Sequence, residues 1–254
     1  MLTVISPAKK LDLKTKSTGK NYTTPEFLDK SAEIIKVIRQ FSPKDLAVLM
    51  NVSDDIASLT FERHSKWKTP FDPENAGPAI HAFKGDVYRG MSAESFSDDD
   101  LEFAQGHLRI LSGLYGILRP LDLIQPYRLE MGTKFKPFDG KNLYGFWEES
   151  ITSAINTELK KHKERVLVNL ASQEYFKAVN ENNLEADVVT PVFKEYRNDQ
   201  YKVVGIFAKK ARGLMCRFII LNRLAKAEEI KLFNMDGYSY DDNLSSKTEW
   251  VFTR

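Results

Sequence analysis

The densest chemistry in this chain lies in Lys209-Lys210-Ala211-Arg212-Gly213-Leu214-Met215-Cys216-Arg217. Read as a helix that follows the extended apolar run 203–207 and reaches about Leu224, it turns Ala211, Leu214, Met215, Phe218, Leu221 and Ala225 to one face at 100° per residue. Lys209, Lys210, Arg212 and Arg217 then share the opposite face with Gly213. A glycine inside a helix costs about 1 kcal/mol relative to alanine, and bare backbone suits a close approach. Four cations around open backbone near a helix start suit a phosphate or another anion. A solvated basic face accounts for the same residues.

Two strand ends offer further polar groups. Leu2-Thr3-Val4-Ile5-Ser6 reads as a buried strand closed by Ser6-Pro7, and Lys9 and Lys10 follow where ligands meet α/β sheets. Val166-Leu167-Val168-Asn169-Leu170 is a second core strand, running straight into Ala171-Ser172 and a helix. Between them, Leu108-Arg109-Ile110-Leu111-Ser112-Gly113-Leu114-Tyr115-Gly116-Ile117-Leu118-Arg119-Pro120-Leu121-Asp122 and 125–132 combine glycines, prolines and charges in a mainly apolar path, the kind that lines a cleft. Arg119, Arg128, Asp122 and Glu130 are too many charges to bury unpaired. Either they pair within the scaffold, or Arg119 and Arg128 face the cleft beside Tyr127, whose ring can stack on a base. Ser6, Lys9, Asp122, Glu130 and Ser172 converging on one pocket would suit acid–base chemistry on a small phosphorylated or nucleotide-like substrate. No catalytic triad is legible. The glycines form no phosphate loop, because no Gly-Lys-Ser/Thr follows.

His81 and His107 stand without metal-ligand spacing and read as structural; no metal and no cofactor is called for. The single cysteine, Cys216, excludes an internal disulfide and fits a reducing compartment. Its place beside the cations leaves two roles, a buried thiol or an activated one.

The bulk numbers set the frame. Of 254 residues 42% are hydrophobic and 28% charged, with a formal net charge of +2. That is an ordinary globular composition, with room for one large core. Charge is uneven: 190–217 holds seven Lys/Arg against two acids, and the first twenty residues five lysines against Asp12. Such asymmetry points to a polyanionic partner. The N-terminus is charged too soon for a signal peptide and no apolar run approaches a membrane span, so a soluble cytoplasmic protein is expected.

The elements that position these groups read as mixed α/β, in a single domain over 1–254. Thr24-Pro25-Glu26 has the cap and proline of a helix start. Ser42-Pro43 and Ser97-Asp98 open two more helices, and a long amphipathic helix spans 142–161. Strands are expected at 187–193, 201–207 and Trp250-Val251-Phe252. The pair over 43–64, joined by Asn51-Val52-Ser53, has the form of a helix-hairpin-helix. Such a hairpin offers backbone amides to DNA phosphate without regard to sequence. The usual Gly-hydrophobic-Gly turn is absent, Asp54 and Asp55 would repel phosphate, and Lys44, Arg63, His64, Lys66 and Lys68 lie nearby.

Taken together, Ile5-Ser6-Pro7-Ala8-Lys9, the run 111–132, Asn169-Leu170-Ala171-Ser172, the stretch 209–217 and Trp250-Val251-Phe252 resemble the YaaA-type peroxide stress-resistance family. The resemblance spans nearly the whole chain. It implies a single α/β domain of unusual topology with a basic cleft and a helix-hairpin-helix. It further implies a cytoplasmic protein that limits oxidative damage, associated with lower free intracellular iron and with binding of double-stranded and distorted DNA. The expectation is a DNA-binding stress protein taking the phosphate backbone through Lys9, Lys10, Lys194, Lys209, Lys210, Arg212 and Arg217. The hairpin, with Lys44 and Lys66, is a second contact. The alternative is an enzyme on a small phosphorylated substrate in the same cleft.

Overall fold

The structure is a computed structural model that describes residues 1–13, 22–136 and 140–254. Its first strand, β1 (Leu2–Ile5), is buried along its whole length, as an apolar run covered on both faces must be. The two-residue strand β2 (Lys10–Leu11) follows. Three helices come next: α1 (Leu28–Ile38), α2 (Pro43–Met50) and α3 (Asp54–Lys66). The helix start expected at Thr24 is displaced to Leu28. Thr23 and Thr24 are engaged elsewhere, Thr23 in a bridge with Asp122 and the Thr24 carbonyl by Arg119. At α2 the sequence signal holds: Ser42 accepts from the Asp45 amide and Asp45 from the Ser42 amide, a reciprocal cap.

Short elements then lead back to the sheet: β3 (Gly77–Pro78), α4 (Ala79–Ala82), β4 (Phe83–Lys84) and α5 (Asp86–Met91). Helix α6 (Asp98–His107), capped by Ser97 and Asp100, delivers β5 (Leu108–Ser112), which turns into β6 (Gly116–Leu118) and β7 (Leu123–Ile124). Helix α7 (Leu143–Leu159) packs Trp147 on Gly116, where a Cβ would come 2.7 Å from the indole ring. Strand β8 (Val166–Leu170) and α8 (Gln173–Phe176) precede β9 (Asp187–Arg197), β10 (Gln200–Lys202), α9 (Gly205–Leu221), β11 (Ser239–Tyr240) and β12 (Glu249–Thr253).

The main sheet runs β11-β12-β9-β8-β1-β5-β6, with β10 paired on the end of β9. β1 lies parallel to β8 on one side and β5 on the other. β9 is parallel to both β8 and β12. The domain is therefore mixed α/β around a mostly parallel sheet. Among the described residues no helix is long and apolar enough to cross a membrane.

The expected strand 201–207 is cut short. Only 200–202 pairs with β9, Val204 stays extended, and the helix starts at Gly205. The apolar run that suggested a strand is divided between the end of a hairpin and the first turn of α9. The buried stripe of α9 is also rotated. It carries Ala208, Ala211, Met215, Cys216, Ile219 and Ile220, while Leu221 is exposed.

Candidate functional site

β1 and β8 are neighbours, yet their chains leave in opposite directions, β1 toward β5 and β8 toward β9. Diverging connections at the carboxyl ends of parallel strands open a crevice, the usual ligand position in such sheets. Ser6 and Ser172 stand at these two ends. The Ser172 amide donates to Ser6 Oγ at 2.8 Å, and the two hydroxyls lie 3.2 Å apart. Tyr88, on α5, donates its hydroxyl to the Ser6 carbonyl at 3.1 Å.

The segment after β7 forms the opposite wall. Tyr127, Arg128, Leu129 and Glu130 face Pro7, Ala8, Lys9 and Tyr175 across a narrow crevice. Glu130 takes Lys9 Nζ on one oxygen at 2.9 Å and Arg128 on the other at 3.2 Å. Glu174 is turned to the Gly132 amide at 3.0 Å. Burial pushes the Tyr88, Tyr127 and Tyr175 hydroxyls above the ordinary tyrosine range, so the floor is neutral.

Helix α3 reaches this wall with its carboxyl end. Arg63 lies close enough to Arg128 that, after burial, the like charge is the second cause lowering its pKa. His64 is buried, with one ring nitrogen hydrogen-bonded to the backbone of Arg128 and Nδ1 without a partner. Burial brings its pKa down to about 4. Arg39, on the turn after α1, holds this helix end by donating to the carbonyls of His64 at 2.9 Å, Ser65 at 3.2 Å and Trp67. Arg128 Nε is itself buried without a hydrogen-bond partner.

The structure thus gathers Ser6, Lys9, Tyr127, Arg128, Glu130 and Ser172, and disperses the rest. Asp122 is 1% exposed, accepting from Thr23 Oγ1 at 2.6 Å and pairing with Arg119 at 2.9 Å. Burial raises the Asp122 pKa, opposed by Thr23 and Arg119. Arg119 and Asp122 therefore staple the scaffold. Tyr127 is a core ring against Phe83 and Tyr115, its hydroxyl 2.7 Å from Ser112 Oγ, so it has no open face for a base. Ser6 and Ser172 are bonded to one another; among the described residues neither hydroxyl is joined to a histidine or carboxylate base.

The basic helix needs the largest correction. Gly213 is buried: a Cβ there would lie 1.9 Å from the Val87 carbonyl oxygen, and one on Gly90 2.2 Å from that of Lys210. The close approach that the glycine permits is made by α5, which occupies the backbone proposed for an anion. Arg217 donates to the carbonyls of Met91 and Ser92 and to Ser95 Oγ, closing the end of α5. Lys210 pairs with Asp236 at 3.1 Å. Arg212 is half-buried over the Ala208 carbonyl, its pKa lowered by burial. Cys216 is 1% exposed and burial pushes its thiol up, so it is a core side chain. Lys209 is exposed, as are Lys10 and Lys44, while Lys194 is half-buried on β9 and Lys66 pairs with Glu62.

The electrostatic coupling of Arg63 to Arg128 and the place of Tyr88 had no local signal, because each joins segments dozens of residues apart. Among the described residues no group of His, Cys, Asp and Glu assembles as a metal site requires.

A family model described as peroxide stress protein YaaA matches residues 1–244. Two proteins named UPF0246, from Aliivibrio fischeri strains MJ11 and ATCC 700601 / ES114, are each 54% identical over 254 residues. Each alignment covers 100% of this chain and 98% of the relative.

Proposed function

The chain belongs to the peroxide stress protein YaaA family, and from that premise we propose that it acts in peroxide stress by binding DNA through the phosphate backbone. Bound in this way, it shields DNA from oxidative and iron-linked damage. The observation that supports the reading is the mouth of the crevice. Lys9 and Arg128 meet there from distant segments on a single carboxylate, Glu130, and Arg63 at the end of α3 is near enough to feel the charge of Arg128. Like charges within electrostatic reach of one another are relieved by an anion, and guanidinium groups match phosphate oxygens in pairs.

Lys10 extends this row outward, and Lys194 and Lys209 are outer contacts. The hairpin of α2 and α3 is a second contact, met at the far end of α3 rather than at its turn. Arg63 lies nine residues along the helix from Asp54, roughly 14 Å at 1.5 Å per residue. The exposed Asp54 and Asp55 at the turn face phosphate poorly.

Contacts of this kind give affinity with little sequence preference and a steep loss with salt. A salt series on duplex DNA tests the reading. Wild-type protein is expected to bind at low salt, and K9E/K10E to bind at least about tenfold more weakly with a flatter slope. No binding at low salt, or an unchanged slope in the variant, overturns it.

A further inference from the structure

The hairpin of β9 and β10 carries rings that the protein's own packing does not use. The strand register of β9 with β12 ends at Lys194, the Tyr196 amide still donates to the Arg254 carbonyl at 2.8 Å, and residues 195–197 pair with β10 on the other side. Asn198 and Asp199 turn the chain with φ of 49° and 57°, a left-handed path that Asn and Asp tolerate. Tyr196 and Tyr201 are directly opposite in register, with ring centroids 5.2 Å apart. They remain 56% and 43% exposed, and Val203, two residues on, is 57% exposed. A cross-strand pair stabilises a hairpin, but that role leaves about half of this surface in water.

Charge around the rings has one dominant sign. Lys194 precedes Tyr196 by two residues and shares its face of the strand. Arg197 and Lys202 lie on the other face, Arg197 over the Phe207 ring at 5.3 Å. The acids are Asp199, 3.4 Å from the Tyr196 hydroxyl, and Glu195, which is buried against Arg254 and Tyr238. Exposed rings with Lys194 on their own face and Arg197 and Lys202 behind them at the hairpin edge fit a partner that offers flat π-faces and negative charge together, an unpaired stretch of nucleic acid.

We infer that the β9–β10 hairpin is a stacking surface for unpaired nucleobases, Tyr196 and Tyr201 receiving the bases and Lys194, Arg197 and Lys202 the adjoining phosphates. The inference rests on the DNA reading above and gives it a means of preferring distorted over regular duplex. A phosphate row alone has no such preference.

The test is fluorescence anisotropy with three labelled DNAs: a regular duplex, the same duplex with a three-base bulge, and the single strand. Wild type is expected to favour the bulge. Y196S/Y201S, its fold checked by circular dichroism and thermal melting, is expected to lose roughly tenfold on bulge and single strand and to keep its duplex affinity. Y196F/Y201F keeps the rings and is expected to behave as wild type. Equal affinities of the serine variant and wild type for the bulge overturn the inference, and so does an equal loss on duplex and bulge. So does a wild-type dimer, seen by sedimentation, that the serine variant splits. Wild-type protein that binds none of the DNAs defeats the phosphate reading itself, whereas duplex binding with no effect of the tyrosines defeats only this one.

Discussion

Helix α9 and the mouth of the crevice both carry clustered cations, and they use them in opposite ways. On α9 successive residues point 100° apart, so neighbouring cations meet different surroundings. Arg217 caps α5, Lys210 meets Asp236 and Arg212 lies over its own helix, which leaves Lys209 outermost. At the mouth, Lys9 from a strand end and Arg128 from an irregular wall meet on one carboxylate, with Arg63 at a helix end within electrostatic reach of Arg128. Lys9 and Arg128 sharing the one carboxylate of Glu130 keep a net attraction for anions, whereas cations answered singly do not. What counts is which charges the fold leaves adjacent and unanswered.

The comparison can be broken first at Gly213. If α9 is a packing helix, Gly213→Ala places a methyl carbon into the Val87 carbonyl, and relief requires the two helices to separate. Overpacking against rigid backbone is expected to cost about 3 kcal/mol or more, read as a lost or strongly lowered thermal transition. A variant as stable as wild type would mean that the backbone there is open after all.

The next effect concerns the wall. His64 has a pKa near 4 when folded and about 6.5 when unfolded. Its contribution to stability is therefore full above pH 6.5 and is lost as pH falls toward 4, because the unfolded chain takes up a proton that the folded site refuses. The loss amounts to roughly 3 kcal/mol by pH 4. Urea unfolding at pH 7 and pH 4.5 should show a smaller pH dependence for His64→Gln than for wild type. Equal dependence in both would remove His64 as the sensitive group at the Arg128 wall.

A smaller effect sharpens the account of the mouth. Glu130 occupies Lys9 and Arg128 as a phosphate would, so Glu130→Gln is expected to raise duplex affinity about threefold to tenfold, the scale of one freed charge pair. Weaker binding in that variant would show that Glu130 orients the cations instead of competing for them.

Much of this fold was legible because local signals agreed with tertiary demands. The apolar runs of β1 and β8, the Ser42 and Ser97 caps and the long helix 142–161 all have one stable reading. Where they failed, a distant partner had intervened: Asp122 and Arg119 claimed Thr23 and Thr24, and α5 claimed the bare backbone of Gly213. The two strand ends of the crevice could be read from Ser6-Pro7 and Ser172, since any parallel strand must end somewhere useful. The arginine pair could not, because nothing local to Arg63 records the presence of Arg128.

The smallest expected effect is the one that separates the two regions most directly. Lys209 is exposed on the outer turn of α9, where a single cation contacts phosphate through a screened, hydrated field. Reversing it should therefore weaken duplex binding about twofold to threefold and lower the salt slope by at most about one. K9E/K10E acts where Arg63 and Arg128 already concentrate the field, so its loss should be several times larger at the same ionic strength. Measured side by side at two salt concentrations, the two variants rank the regions without reference to absolute affinity. If K209E costs as much as K9E/K10E, DNA lies along α9, and the crevice mouth is a set of scaffold ion pairs.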